Sequence, residues 1–272
     1  MYYWDTYISL KYEQQTRELL TQRMEQVFGK NCYVEYVYNP NNAAVSGPDG
    51  GNRSFEEYIA HNGSLNFGVI VNYIPENGDE IMAQVKEALA DIDAYTLITF
   101  RDAPNVVLDE VTAAQLEEGK PALAIISYPS SNAEGRYREY KWRIWDLYKE
   151  ETTTLAKSRI EQAFGPDCFV NANNKSSCEF VSIPTFEEYI ATPANYAFYS
   201  AIVRYSIDNE EEILEKVETA FDGLCINGRI YVVNGDAPLN EESLNNLYLA
   251  GHKPSLYIST QNPDTFNFSW RK

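Results

Sequence analysis

The sequence predicts an α/β fold made of two tandem copies of one small domain, each copy a mixed sheet with helices packed on it. The element order leaves an α+β arrangement open as the alternative. The first observation behind this is recurrence. Arg23-Met24-Glu25-Gln26-Val27-Phe28-Gly29 returns as Arg159-Ile160-Glu161-Gln162-Ala163-Phe164-Gly165, with Cys32 and Cys168 three residues beyond the two glycines. Phe55-Glu56-Glu57-Tyr58-Ile59-Ala60 returns unchanged as Phe186 to Ala191, Asp102-Ala103-Pro104 as Asp236-Ala237-Pro238, and Lys120-Pro121 as Lys253-Pro254. The offset stays between 131 and 136 residues, which is a repeated domain rather than a solenoid period. The second observation is length: 272 residues suit two domains of ordinary size. The third is that strand-like runs alternate with helical periodicity inside each copy.

Taken in order, each copy opens with a helix, over about 13–28 and 152–164. Leu19, Leu20, Met24, Val27 and Phe28 fall on one face, and Gly29 stops the helix. Strands follow at Cys32–Tyr38 and Cys168–Asn171. Residues 39–52 are rich in Asn, Gly and Pro and read as a loop that the second copy shortens. Ser54-Phe55-Glu56-Glu57 and Thr185-Phe186-Glu187-Glu188 are capping boxes, so each FEEYI block opens a short helix.

Strands at Leu65–Ile74 and Phe198–Ile207 lead into helices near 78–91 and 209–222. There Ile81, Val85, Leu89 and Ile213, Val217, Phe221 make apolar stripes. Strands at Tyr95–Phe100 and Arg229–Val233 end just before Asp-Ala-Pro. Helices near 108–118 and 240–250 follow, then strands at Ala122–Tyr128 and Ser255–Thr260. Each copy closes with an aromatic strand, in which Tyr140, Trp142 and Ile144, or Phe266, Phe268 and Trp270, alternate with polar residues. Strands separated by helices point to a partly parallel sheet. The expected domains are 1–135 and 136–272, with a linker about 129–151 where Pro129-Ser130-Ser131-Asn132-Ala133-Glu134-Gly135 is linker-like.

Hydrophobic residues make up 44% and charged residues 23%, the composition of a folded chain. The net charge is −18. Residues 1–135 hold 8 Lys and Arg against 20 Asp and Glu, and residues 136–272 hold 14 against 20. Such a surface repels phosphate backbones and anionic lipid, so neither nucleic acid nor membrane is an expected partner. Either the charge serves solubility or it meets a basic protein. No apolar run is long enough to cross a bilayer, and Met1-Tyr2-Tyr3-Trp4-Asp5 lacks the basic start and apolar stretch of a signal peptide. Cys32, Cys168, Cys178 and Cys225 form no CxxC pair and read as small buried thiols. The expected compartment is therefore reducing and cytoplasmic, or a virion if the chain is phage-encoded. Asn52-Arg53-Ser54 and Asn62-Gly63-Ser64 match the glycosylation pattern, which carries little weight without a secretory signal.

The chemistry-bearing motifs are few. Two histidines, His61 and His252, sit in unlike neighbourhoods, which excludes HExxH and paired-His metal patterns. GxSxG, GxxxxGK[ST] and GxGxxG are absent, so no catalytic residue, metal or cofactor is assigned. Ser46-Gly47-Pro48-Asp49-Gly50-Gly51 is glycine-rich but lacks a phosphate loop's lysine. Pro75-Glu76-Asn77-Gly78-Asp79-Glu80 reads as a turn with acidic residues at a helix start. Asp102 and Asp236 are the weak ligand-site candidates, because they stand where a strand ends, where open sheets bind ligands. The ordinary alternative is an Asp that caps a turn before Ala-Pro. Glu57 and Glu188 complete capping boxes, and no pattern brings them together in a cleft.

The run Arg136, Tyr137, Arg138, Glu139, Tyr140, Lys141, Trp142, Arg143, Ile144, Trp145 stands out as basic and aromatic in an acidic chain. Arg136, Arg138, Tyr140, Lys141, Trp142, Arg143 and Trp145 are the interface candidates, since aromatics with Arg make hot spots. The competing reading is an edge strand whose outward charges block aggregation. Three functions follow as expectations. The first is a non-catalytic structural or assembly protein whose partners are itself or other assembly subunits. In element order and domain size each copy resembles bacteriophage tail-completion, tail-terminator and neck proteins, small α/β domains that assemble as rings. That resemblance implies a virion tail or neck component and transfers no site residue. The second is an acidic inhibitor or immunity-type protein for a basic partner, with residues 1–135 making the contact. The third is a carboxylate-dependent enzyme or sugar-binding module using Asp102 or Asp236 with nearby tyrosines.

Overall fold

A computed structural model describes residues 5–37, 54–60, 65–117, 122–133, 135–172, 178–192, 197–205, 210–233, 235–236, 238–262 and 265–270. The glycine-rich segment 46–51, His61 and both glycosylation patterns lie wholly or partly outside them. The chain divides into two compact units, Met1–Ile144 with Glu179–Ile183, and Trp145–Cys178 with Pro184–Lys272.

In the first unit α1 (Asp5–Phe28) buries a row spaced four residues apart: Tyr12, Thr16, Leu20, Met24 and Phe28. Gly29, at φ +64°, turns the chain out of the helix through one short 3-10 turn, Gly29–Asn31. Strands β1 (Cys32–Val37), β2 (Leu65–Val71), β3 (Ala94–Phe100), β4 (Leu123–Asn132) and β5 (Gly135–Ile144) then lie side by side in sequence order. Only β2 and β3 are parallel, joined by the crossover helix α3 (Gly78–Ala88); the other sequential pairs are antiparallel. α3 packs beside α1 and buries Met82, Val85 and Ala88. The apolar stripe is thus displaced from Ile81, which is half-buried. The short helices α2 (Phe55–Ala60) and α4 (Glu110–Glu117) complete the unit.

The second unit repeats this plan. α5 (Lys149–Phe164) buries Thr152, Ala156, Ile160 and Phe164, and Gly165 stops it at φ +89°. Its sheet runs β11-β10-β9-β8-β6: β6 (Cys168–Ala172), β8 (Ala197–Arg204), β9 (Ile226–Val233), β10 (Leu256–Asn262) and β11 (Thr265–Trp270), again with one parallel pair, β8 with β9. α6 (Phe186–Ala191), α7 (Glu210–Phe221) and α8 (Glu241–Leu249) complete it, α7 against α5. Ile202, Tyr231 and Leu244 form a cluster that seats α8 on the sheet face opposite Ala201 and Val203.

Two features depart from the sequence reading. Residues 129–135, linker-like in composition, belong to a hairpin: β4 and β5 stay in register from Leu123 opposite Ile144 to Asn132 opposite Gly135. Backbone pairing needs no apolar side chains, so composition misled, and the first unit extends past 135 to Ile144. A strand not read at all, β7 (Cys178–Phe180), joins the first sheet beyond β5.

Candidate functional site

The basic, aromatic run forms β5, and alternation divides it between two faces. Trp142 and Ile144 point into the core and are 0% exposed. Trp142 is therefore a packing residue, tilted on Phe100 with ring centroids 5.7 Å apart, and not a surface anchor. Arg138, on the same side nearer the rim, pairs with Asp93 at 3.3 Å and donates to the Leu89 carbonyl at 3.2 Å. Tyr140 is half-buried with Lys86 over its ring. Trp145 is half-buried beyond the strand, and the Arg136 side chain lies outside the described residues.

The other face carries Lys141 and Arg143, and it is covered from within the chain. Glu179 of β7 accepts from Arg143 Nη2 at 2.8 Å and lies 3.7 Å from Lys141 Nζ. Lys141 also pairs with Glu139 at 3.0 Å and sits over the Tyr128 ring. Hydrogen bonds to Tyr128 and Glu139 raise the Lys141 ammonium well above its ordinary value, and the Lys141 bond holds Glu139 below the usual carboxylate range. Ile183 closes the other end of the inserted segment against Gly78 and Trp142; a Cβ on Gly78 would stand 2.5 Å from Ile183 Cδ1. β5 is consequently not an edge strand, because β7 caps it.

The FEEYI blocks are structural in both copies. Ser54 N donates to Glu57 Oε2 at 2.9 Å while Glu57 N donates to Ser54 Oγ at 3.2 Å, and Thr185 with Glu188 does the same at 2.8 and 3.2 Å. Each helix then docks by two further contacts. Tyr12 packs in tilted geometry against Phe55 and Tyr58, as Tyr148 does against Phe186 and Tyr189. Asp93 N donates to Ile59 O, and Cys225 N to Ile190 O, both at 2.7 Å. Asp102 and Asp236 occupy exposed bends just after β3 and β9, one in each unit, and neither lines a cavity described below. Cys225 is buried, while Cys32 and Cys168 are half-buried; burial pushes the Cys32 thiol up to about 12.

Two cavities are lined by described residues. One of about 600 Å³ in the first unit is lined by Arg138, Asp93, Asp91, Lys86, Tyr137 and Tyr140, among others. Its charges largely cancel: Asp93 is taken by Arg138, and Asp91 by Arg23 at 2.9 Å. The other, about 410 Å³ in the second unit, gathers Arg229, Tyr231, Tyr248, His252, Lys253 and Tyr257. Sequence reasoning passed over this group because its members come from three elements. A signal was present, however: residues 243–263 contain no Asp or Glu in a chain that has 40. Among the described residues no cluster of His, Cys, Asp and Glu could hold a metal ion, and no helix is long and apolar enough to cross a membrane. No family model, curated protein or solved structure matches the chain.

Proposed function

We propose that the chain is a non-catalytic assembly subunit that joins copies of itself or other subunits through protein–protein contacts. The setting suggested by its element order is a phage virion tail or neck. The observation that supports this is the aromatic edge of the sheet. In the first unit that edge, β5, takes an added strand, β7, so the fold can be extended there by backbone pairing. Its counterpart β11 is the outermost strand of the second sheet, with no further strand among the described residues. An outer strand presents one row of backbone donors and acceptors to a partner. The register that sets Ile144 opposite Leu123 and Trp270 opposite Leu256 puts Asn267 and Ser269 at the places of Lys141 and Arg143.

The test is mass in solution by light scattering after size exclusion, at low and high salt, with single prolines placed at each position of 266–269. Successive residues turn their N–H groups to opposite sides of a strand, so alternate prolines spare the bonds to β10. The expected result is a defined oligomer that those prolines dissolve while the circular dichroism is kept. A monomer at every salt overturns self-assembly. The −18 charge would then favour the second reading, an acidic inhibitor bound to a basic partner in a salt-sensitive way.

A further inference from the structure

The cavity of about 410 Å³ in the second unit gathers cations and tyrosines in an acidic chain. Its floor is the sheet: Arg229 and Tyr257 are register partners on β9 and β10, and Tyr231 stands two residues along β9 on the same face. Its wall is the end of α8. There His252 N donates to Leu247 O at 3.0 Å and Gly251 N to Tyr248 O at 3.1 Å, with Gly251 at φ +72°. This Schellman closure sets His252 and Lys253 beside Tyr248 and occupies two helix-end carbonyls that would otherwise repel an anion.

The charge lining the cavity has one sign. Arg229 and Lys253 supply it beside His252, and among the described residues no carboxylate lines the space. Neither Arg229 nor Lys253 has an ion pair among the described residues. The Arg229 guanidinium lies over the Phe198 ring, 4.8 Å from its centre, and a guanidinium seated on a ring face can still donate to an acceptor at its edge. The scaffold does not require these residues. On the equivalent strands of the first copy, the registers set Leu97, Thr99 and Ile126 where the second has Arg229, Tyr231 and Tyr257.

We propose that this cavity binds a small organic phosphate carrying a planar ring, of mononucleotide size. Arg229 and Lys253 hold the phosphate, His252 stands at the rim, and the tyrosines supply flat faces and hydroxyl donors. The volume falls in the range of small-molecule sites. Charge favours a small ligand over a nucleic-acid chain. Beyond about 10 Å the field of one site is screened, so a single anion meets the local cations while a polymer meets the acidic surface as well. The inference stands independently of the assembly reading.

The test titrates the full chain with AMP, GMP, CMP and UMP by calorimetry, beside adenosine and inorganic phosphate. At least one mononucleotide should bind about tenfold or more tighter than either fragment, since both the charge and the ring contribute. Arg229→Leu, which installs the first copy's residue, and Lys253→Ala on the exposed turn should each weaken binding about tenfold at unchanged melting temperature. Failure of all four nucleotides to bind overturns the proposal. So does inorganic phosphate binding as tightly as they do, or affinity that survives both substitutions.

Discussion

Tyr199 is stacked on Phe221, ring centroids 5.6 Å apart and planes 2° from parallel. Opposite it in register stands Gly228, where any Cβ would overlap the tyrosine ring, so glycine is a steric requirement there. The Tyr199 hydroxyl is buried with no hydrogen-bond partner among the described residues, and burial holds its phenol neutral, far above its ordinary value. A buried donor left unpaired costs about 1–3 kcal/mol. In the first copy Phe67 occupies the same register place, a ring of the same shape without the hydroxyl. Tyr199→Phe is therefore expected to stabilise the protein by about 1 kcal/mol, read as a higher urea midpoint. A lower midpoint would mean that the hydroxyl has an acceptor in solution.

At the scale of elements, the inserted segment 179–183 is held at both ends, by Glu179 on Arg143 and by Ile183 beside Gly78. Gly78 opens α3, where alanine would by helix propensity gain up to about 1 kcal/mol. An added Cβ would also stand 3.2 Å from Trp142 Cζ2, a rigid neighbour. Gly78→Ala should thus lose about 1 kcal/mol against that propensity and speed amide exchange across 179–183. Unchanged exchange with a stability gain would show that the segment is not seated there. The second copy has Glu210 at that place and no segment of the β7 kind beside it among the described residues. This seam also marks the limit of what the sequence discloses. The FEEYI helices were legible because a capping box is a four-residue pattern, and α1 because its stripe repeats every turn. β7 is three residues whose partners lie on β5, about 35 positions earlier, and no local period encodes that pairing. The positive charge of Lys141 and Arg143 was likewise legible, whereas its neutralisation by Glu179 was not. The cavity around Arg229 needed β9, β10 and the end of α8 to be brought together.

Over the whole molecule the governing quantity is charge, −18 with 40 acidic against 22 basic residues. The pairs Arg23–Asp91, Lys157–Glu161, Arg204–Asp167 and Lys216–Glu212 lie at the surface, where each contributes at most about 1 kcal/mol. Unpaired carboxylates at Debye-length spacing repel one another, and folding concentrates them, so added salt should stabilise the chain. Protonation acts in two opposed ways. Asp109, Glu56, Glu139 and Glu212 are all held below their ordinary values, Asp109 and Glu56 first by backbone hydrogen bonds, Glu139 and Glu212 first by lysine partners. A depressed carboxylate contributes stability that is present above its unfolded value, about 4, and is lost as pH falls through its lower folded value. Lowering the pH also reduces the net negative charge of −18, and with it the self-repulsion of the acidic surface, before the carboxylate range is reached. Relief comes first and loss follows, so the melting temperature should be highest near about pH 5, above its value at neutrality, and should fall below about pH 4. Raising NaCl from about 0.05 to 0.5 M should lift the melting temperature at pH 7 and change it little at pH 5, where less repulsion remains to be screened. Calorimetric melts across that grid decide the matter. A maximum at neutral pH with no salt dependence would mean that the acidic surface is spread widely enough to leave folding unaffected.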